Sequence, residues 1–503
     1  MNMFQKWHIT APGVLRAVGS RLFFRLTLLL FVLQASWVAV TGAYSMAFDE
    51  YFHFGLIKLY AQQWSPLIHQ PEGAASFGAI ARDPSYLYHY LMSFPYRLIA
   101  HFTTNAPVQI VLLRGIDIAL FAAGLVLFRK IFRAAGLSAV VSNTVLLFFV
   151  LVPVTSFVAG QINYDNLLFF MTGLTLYLSL RLVAEIRARK HVPVVRFFVL
   201  ASCLLLASIV KYAFLPLFMG IVLYVLLAIR REIGLNYGKL WQAVRRGSDG
   251  LQRFSGIVVC LLVVGSFGLF MERYAVNVVR YHTLTPECDV VLDVEDCRAY
   301  DPFGRNQSYK EAGLKDGLEM HDKLSYPEVW ARGMMRSLYF TVGPREQNYP
   351  PGEPLPVAYV TAWAVVFGGT GLLVWHLRRL LRQNQALQLF VLVSGIYLGI
   401  LFVQNLTDFL SLGVAVAVQG RYLLPVLPLV LALVALAAQR ALRQFRPAVG
   451  VMVAGGLLVL TLQGGGLLPY IIRSADTWMW PNQTVQHVTH TTRSLLWYIT
   501  VRS

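Results

Sequence analysis

Charge is what this sequence has least of. Of 503 residues only 14% are charged, and Asp and Glu number 25 against 43 Lys and Arg. A soluble protein carries roughly 25% charged residues, so the composition excludes an ordinary soluble globular chain. Cysteine is nearly absent, with four in all. Cys203 and Cys260 lie inside apolar runs, and only Cys288 and Cys297, nine positions apart in "PECDVVLDVEDCRA", sit in polar sequence. That pair is open to two readings, a short disulfide in an exported loop or two free thiols. No further Cys or His stands at a spacing that completes a zinc set. An internal repeat is also missing, which counts against the paired, interrupted spans of a secondary transporter. The first apolar run, Arg21 to Gly42, is too long for a cleaved leader, and Ala43-Tyr44-Ser45 is a weak cleavage site.

What fills the chain instead is apolar sequence. Hydrophobic residues make up 57% and the mean hydropathy is +0.58. Runs of about 20 apolar residues recur, the length that crosses a hydrocarbon core. The sequence is that of an all-α polytopic membrane protein. Its net charge of +18 invites a nucleic-acid reading, but the basic residues cluster at alternate ends of the apolar runs. Arg129, Lys130 and Arg133 form one cluster; Arg230 and Arg231, Arg378 to Arg382, and Arg440 to Arg446 mark others. This is the positive-inside pattern, and no nucleic-acid partner is expected.

With the N-terminus and Lys6, Arg16 and Arg21 in the cytoplasm, about eleven transmembrane helices are expected. They fall near 22–43, 108–128, 138–158, 164–183, 197–210, 212–229, 254–272, 355–377, 387–405, 422–439 and 447–466. Phe197 to Ile229 is one apolar run with basic residues at both ends. It satisfies the charge rule only as two short spans meeting at "VKYAFLP", where Pro216 helps break the helix. The expected organisation is an N-terminal transmembrane module, 1–272, with a large first outer loop, 44–107. A second outer loop, 273–354, precedes the C-terminal helices, 355–466, and an outer tail, 467–503. The second loop holds about half of the 25 acidic residues, so it has the composition of a solvated surface. Cytoplasmic connections are short, which places the functional residues extracytoplasmically.

The chemistry-bearing residues gather at the outer ends of the spans. "FDEYFHF" places Asp49, Glu50 and His53 directly after the first span; on a helix, Asp49 and His53 share a face. Carboxylates at a span mouth are functional candidates, and a solvated loop start accounts for them equally. The order is wrong for a metalloprotease, which needs His, Glu, then His. "GQINYDNLLFF" puts Asp165 at the outer start of the fourth span, where it either caps the helix or joins the site. Lys211 and Arg421, in "QGRYLLPVLP", are cations on the outer side, against the general rule. Each is a snorkelling residue or part of a site for a lipid phosphate, which Arg clamps bidentately and Lys meets as a point charge. Arg114 and Asp117, three apart in "LLRGIDIALF", read as a structural pair. Carboxylates beside phosphate-binding cations fit group transfer from a phosphorylated lipid, a carboxylate activating the incoming hydroxyl while cations stabilise the leaving phosphate.

These motifs, in this order and on one side, resemble the GT-C superfamily of membrane glycosyltransferases that use polyprenyl-phosphate sugars. The aminoarabinose and protein-mannosyl branches are the nearest in appearance. The features that carry the resemblance are Asp49-Glu50 in the first outer loop, Asp165 in "INYDNLLFF", Lys211 in "VKYAFLPLF", and Arg421-Tyr422-Leu423-Leu424-Pro425. The aromatic "PSYLYHYLMSFPYRL", Pro84 to Leu98, adds to them. The resemblance covers the first six spans and the Arg421 region; the 273–354 loop matches nothing in it. It implies an integral enzyme of a bacterial inner or plasma membrane, moving a sugar from a polyprenyl-phosphate donor to an extracytoplasmic glycan, lipid or protein. Asp49 becomes the general base or acceptor-orienting carboxylate. Glu50 and Asp165 support it or, with Asp49, hold a divalent cation, Mg²⁺ or Mn²⁺. Lys211 and Arg421 bind the lipid phosphate, with His53 and Tyr422 as secondary binding residues and His89 as a packing alternative. Two rival classes remain, a lipid-linked sugar transporter or flippase, and an O-antigen ligase or polymerase working from the late loop.

Overall fold

A backbone that crosses lipid has to satisfy its own N–H and C=O groups, and a helix does so within one segment. The computed structural model describes residues 11–234, 236–248, 253–340 and 356–502. Lys6 and the 341–354 part of the second loop lie outside the described residues. No strand occurs among those described, which hold one isolated bridge between Gly42 and Met479. The helices that frame the fold are α1 (Arg21–Thr41), α2 (Glu50–Ala61), α3 (Leu87–Phe102), α4 (Ala106–Ala134) and α5 (Ala139–Val150). They continue as α6 (Pro153–Ala159), α7 (Tyr164–Arg189), α8 (Val194–Val210), α9 (Leu215–Glu232) and α10 (Arg253–Tyr281). The later ones are α11 (Met320–Tyr339), α12 (Val357–Gln383), α13 (Leu387–Leu412), α14 (Leu427–Ala441) and α15 (Pro447–Leu462).

Among the described residues eight helices are long and apolar enough to cross a membrane: α1, α4, α7, α9 with the 3₁₀ turn ahead of it, α10, α12, α13, and α14 continued through a 3₁₀ turn to Gln444. The chain is accordingly an integral membrane protein. The expected span 138–158 is a bent pair, α5 and α6, with 72° between them. Pro153 starts the second helix after an extended Val152. The spans expected at 197–210 and 447–466 are the shorter apolar helices α8 and α15, of 17 and 16 residues. The break expected at "VKYAFLP" is present. Lys211 is extended after α8, a 3₁₀ turn spans Tyr212–Phe214, and Pro216 lies in the first turn of α9.

Side-chain caps fix where several helices begin. Ser20, Asn105 and Ser138 accept from backbone N–H groups at the starts of α1, α4 and α5. At the start of α7 the cap is Asn163, whose Oδ1 accepts from the Asp165 N–H at 2.9 Å. Asp165 is therefore not the cap, and its carboxylate is left for another partner.

Helices α4 and α7 form the centre of the core. Phe169 stacks between Phe121 and Phe128, with centroids 4.1 and 4.8 Å away. Gly124 permits this approach, since a Cβ there would lie 2.5 Å from the Phe169 ring. In the late loop Cys288 and Cys297 are joined as a disulfide, Cα–Cα 5.7 Å. Their cluster includes Tyr300, whose ring contacts Phe52 of α2 at 5.9 Å. The second loop is thereby packed on the first.

One polar connection runs through this apolar interior. Arg114 meets Glu50 bidentately, Nε to Oε1 and Nη2 to Oε2 both at 2.7 Å, with both side chains fully buried. The remaining Arg114 nitrogen donates to the carbonyls of Ala39 (2.9 Å) and Gly42 (2.6 Å). The Glu50 oxygens also accept from the N–H groups of Met46 (2.9 Å) and Ile162 (3.1 Å). This corrects the expected Arg114–Asp117 pair: Asp117 instead accepts from the Tyr88 hydroxyl at 2.8 Å. Removing one partner of such a pair leaves a buried charge, at a cost of about 3–5 kcal/mol. Glu50→Gln is expected to lower the apparent Tm of the detergent-solubilised protein sharply. Glu50→Leu combined with Arg114→Met is expected to be milder than the single change, as read by the same melt.

Candidate functional site

The Glu50 anchor fixes the backbone just before it. Phe48 and Asp49 both have left-handed backbones, φ 67° and 70°. Non-glycine residues avoid this region at a cost of order 1–3 kcal/mol each. They are held there because the Phe48 carbonyl accepts from both Arg421 Nη1 and Asn163 Nδ2, each at 2.9 Å. The result turns the Asp49 side chain outward, 58% exposed, while Glu50 one residue later is sealed inside.

Asp49 Oδ2 accepts from Arg421 Nη2 at 2.8 Å, and the Arg421 side chain is only 2% exposed. Arg421 comes from a 3₁₀ turn, Gly420–Leu423, ahead of α14. Its guanidinium lies 4.7 Å from the Phe48 ring centroid and 5.2 Å from that of Tyr422. The Tyr422 carbonyl is fixed by the Tyr397 hydroxyl at 2.7 Å. A second pair sits alongside. Lys211 Nζ donates to Asp165 Oδ1 at 2.6 Å and packs over Tyr164 and Tyr422, 4.2 and 4.9 Å from their centroids. Asp49, Asp165, Lys211 and Arg421 are near enough to act on one another electrostatically. Residues more than 370 positions apart thus converge at one end of the bundle.

The set retains unused capacity. Asp165 Oδ2 and Arg421 Nε are buried without a hydrogen-bond partner among the described residues. Lys211 carries three N–H donors, one of which meets Asp165. These donors are left over by the two ion pairs.

Two expected members behave differently. Glu50 pairs with Arg114 rather than with Arg421; it is saturated by Arg114, Met46 and Ile162. It cannot also ligate a metal with Asp49 and Asp165, and no group of three His, Cys, Asp or Glu is arranged for a metal among the described residues. Asp49 stands just ahead of α2 with its side chain open, whereas His53, one turn on and bonded through its N–H to the Asp49 carbonyl, has a buried ring. His53 Nδ1 lies 2.9 Å from His89 Nε2, and its ring meets Tyr164 edge-on at 4.4 Å. Tyr164 was not among the expected site residues, although it adjoins Asp165 in "INYDN". His89, a packing alternative from sequence, is His53's direct partner.

Burial, then the neighbouring His89 and the cations Arg421 and Lys211, hold the His53 imidazole well below its ordinary value. Burial brings His89 down to about 3. Both rings are therefore neutral near neutrality. Unfolding releases them to about 6.5, so the unfolded chain binds more protons below that pH and stability falls as pH falls. The apparent Tm is expected to drop between about pH 7 and pH 5, and a His53→Gln/His89→Gln variant to flatten that slope. An equal slope in both proteins contradicts the assignment.

Two cavities lie elsewhere, one among Arg129, Lys130 and Arg133 and one among Arg231, Arg378 and Arg382. Neither includes the Asp49 cluster. Comparison with known proteins returned no matching family model, no matching curated protein and no matching solved structure.

Proposed function

We propose that this chain is an integral membrane glycosyltransferase of GT-C type that transfers a sugar from a polyprenyl-phosphate donor to an extracytoplasmic glycan, lipid or protein. The observation that carries the reading is the exposed Asp49 carboxylate bound to the buried Arg421 beside the Lys211–Asp165 pair. In the proposed topology the chain crosses the membrane about eleven times, counting α5–α6, α8 and α15, in a bacterial inner or plasma membrane. Its N-terminus is cytoplasmic and the Asp49 cluster extracytoplasmic, because only this parity puts the basic clusters inside.

In the proposed reaction Asp49 takes the proton of an acceptor hydroxyl. The acceptor oxygen attacks the anomeric carbon as the bond from that carbon to the phosphate oxygen breaks. The electron pair leaves on the lipid phosphate, whose charge Arg421 and Lys211 receive. The cations are buried and fixed beforehand, so little reorganisation is needed as charge develops. Asp165 keeps Lys211 charged and aimed, while Tyr164 and Tyr422 wall the ammonium. His53 and His89, both neutral, shape the floor beneath Tyr164.

Replacing Asp49 by Asn preserves an acceptor for Arg421 and removes the base. Turnover with a polyprenyl-phosphate sugar is expected to fall by about 10²–10⁴, with donor binding retained. A transporter, or a ligase working from the late loop, barely responds to this change, so unchanged activity sinks the reading. The carboxylates still open to Mg²⁺ or Mn²⁺ are Asp49 and Asp165, since Glu50 is spent on Arg114. Neutralisation of the phosphate by two fixed cations predicts turnover that survives EDTA. Loss on chelation with recovery on added Mg²⁺ instead assigns a cation to those two carboxylates.

A further inference from the structure

Fifteen residues beyond Arg114, about 22 Å along α4 at 1.5 Å per residue, the helix reaches a second concentration of charge. Here a cavity of about 390 Å³ is lined by Arg129, Lys130 and Arg133 of α4, Tyr177 and Arg181 of α7, and Phe24 of α1. We propose that this cavity binds the phosphate of an anionic phospholipid headgroup, independently of the sugar-transfer reading.

The charge balance is the first argument. No acidic residue lines the cavity. The carboxylates Glu185 of α7 and Glu232 of α9 are committed to other cations, Glu185 to Arg189 and Arg196, and Glu232 to Arg187 and Lys190. Among the described residues, none forms an ion pair with the four cavity cations. Four like charges around one hollow repel each other, and an anion relieves that repulsion.

The second argument is preorganisation. Arg129 Nε donates to Asn143 Oδ1 at 2.9 Å, and its guanidinium lies 4.6 Å from the Phe24 ring centroid. Asn143 is itself buried and donates to the carbonyls of Val18 and Ser20 at 2.7 and 3.1 Å. Arg133 Nη1 donates to the Leu137 carbonyl at 2.5 Å. Two guanidiniums are thus set in place with donors to spare, the arrangement that suits a phosphate. A solvated basic face needs no such positioning.

The third argument favours lipid over a free anion. All three walls are helices long and apolar enough to cross a membrane, and the cations lie toward their ends. Headgroups reside at that depth, and Phe24 and Tyr177 offer apolar surface to the glycerol end of a lipid. The volume holds a headgroup and falls within the roughly 300–1,000 Å³ range of small-molecule sites.

The test uses the full chain in detergent, titrated with phosphatidylglycerol and with phosphatidylcholine of the same acyl chains, bound lipid being counted by native mass spectrometry. Phosphatidylglycerol is expected to bind about tenfold tighter or better, since its headgroup carries a net negative charge and that of phosphatidylcholine none. Arg129→Gln/Arg133→Gln/Arg181→Gln is expected to bring the two lipids to parity. Should that variant fail to fold, Lys130→Gln/Arg181→Gln, both exposed, is expected to cut the preference several-fold. Parity in the unaltered protein overturns the proposal. So does a variant that keeps its preference.

Discussion

Everything at the Asp49 end of the molecule depends on the buried Glu50–Arg114 ion pair. Arg114 is fully enclosed and reaches the carbonyls of Ala39 and Gly42 at the end of α1 as well as Glu50 at the start of α2. Glu50 in turn holds the N–H of Ile162 just ahead of α7. One guanidinium and one carboxylate therefore register four chain segments against each other, α4, the end of α1, the start of α2 and the lead into α7. Buried ion pairs are weak contributors to net stability, because desolvation offsets the attraction, but their removal one side at a time is severe. Here the pair sets geometry: it places a left-handed turn at Phe48 and Asp49 and leaves only the second of these facing outward.

Around that turn the chain spends its few charges in pairs. Glu50 with Arg114, Asp49 with Arg421 and Asp165 with Lys211 are each one acid against one base. Their exposures grade the roles. The first pair is sealed, the third nearly so, and the second has a buried cation with an exposed acid. That asymmetry is what a transfer site at a membrane surface needs, since the acid must meet a substrate hydroxyl while the cation stays fixed and dry. The tyrosines that face Lys211 and Arg421 keep them oriented without neutralising them.

Much of this was legible in the sequence, and the reasons are physical. Apolar run length and the placement of Arg and Lys are strong, long-range signals, so the helical spans and the break at Lys211 could be located. The grouping of Asp49, Asp165, Lys211 and Arg421 followed from one consequence of that threading, their common position at span ends. Partner choice was not legible. Spacing of three on one helix matched Arg114 with Asp117, whereas the long Arg114 side chain reaches off its helix to a residue 64 positions earlier. The bend between α5 and α6 was also missed, although Pro153 marks it, because the run stays apolar on both sides of the proline. Whether Asp165 caps its helix or joins the site was open from sequence; the neighbouring Asn163 takes the capping role, which leaves the Asp165 carboxylate to Lys211.

The most direct measurement of the central claim is an experimental structure of the protein with a non-hydrolysable polyprenyl-phosphate sugar analogue. The account predicts the phosphate within hydrogen-bonding distance of both Arg421 and Lys211, with the anomeric carbon facing the open Asp49 carboxylate and Glu50 still locked to Arg114. A phosphate seated away from Arg421 and Lys211, or an Asp49 turned from the anomeric carbon, contradicts it.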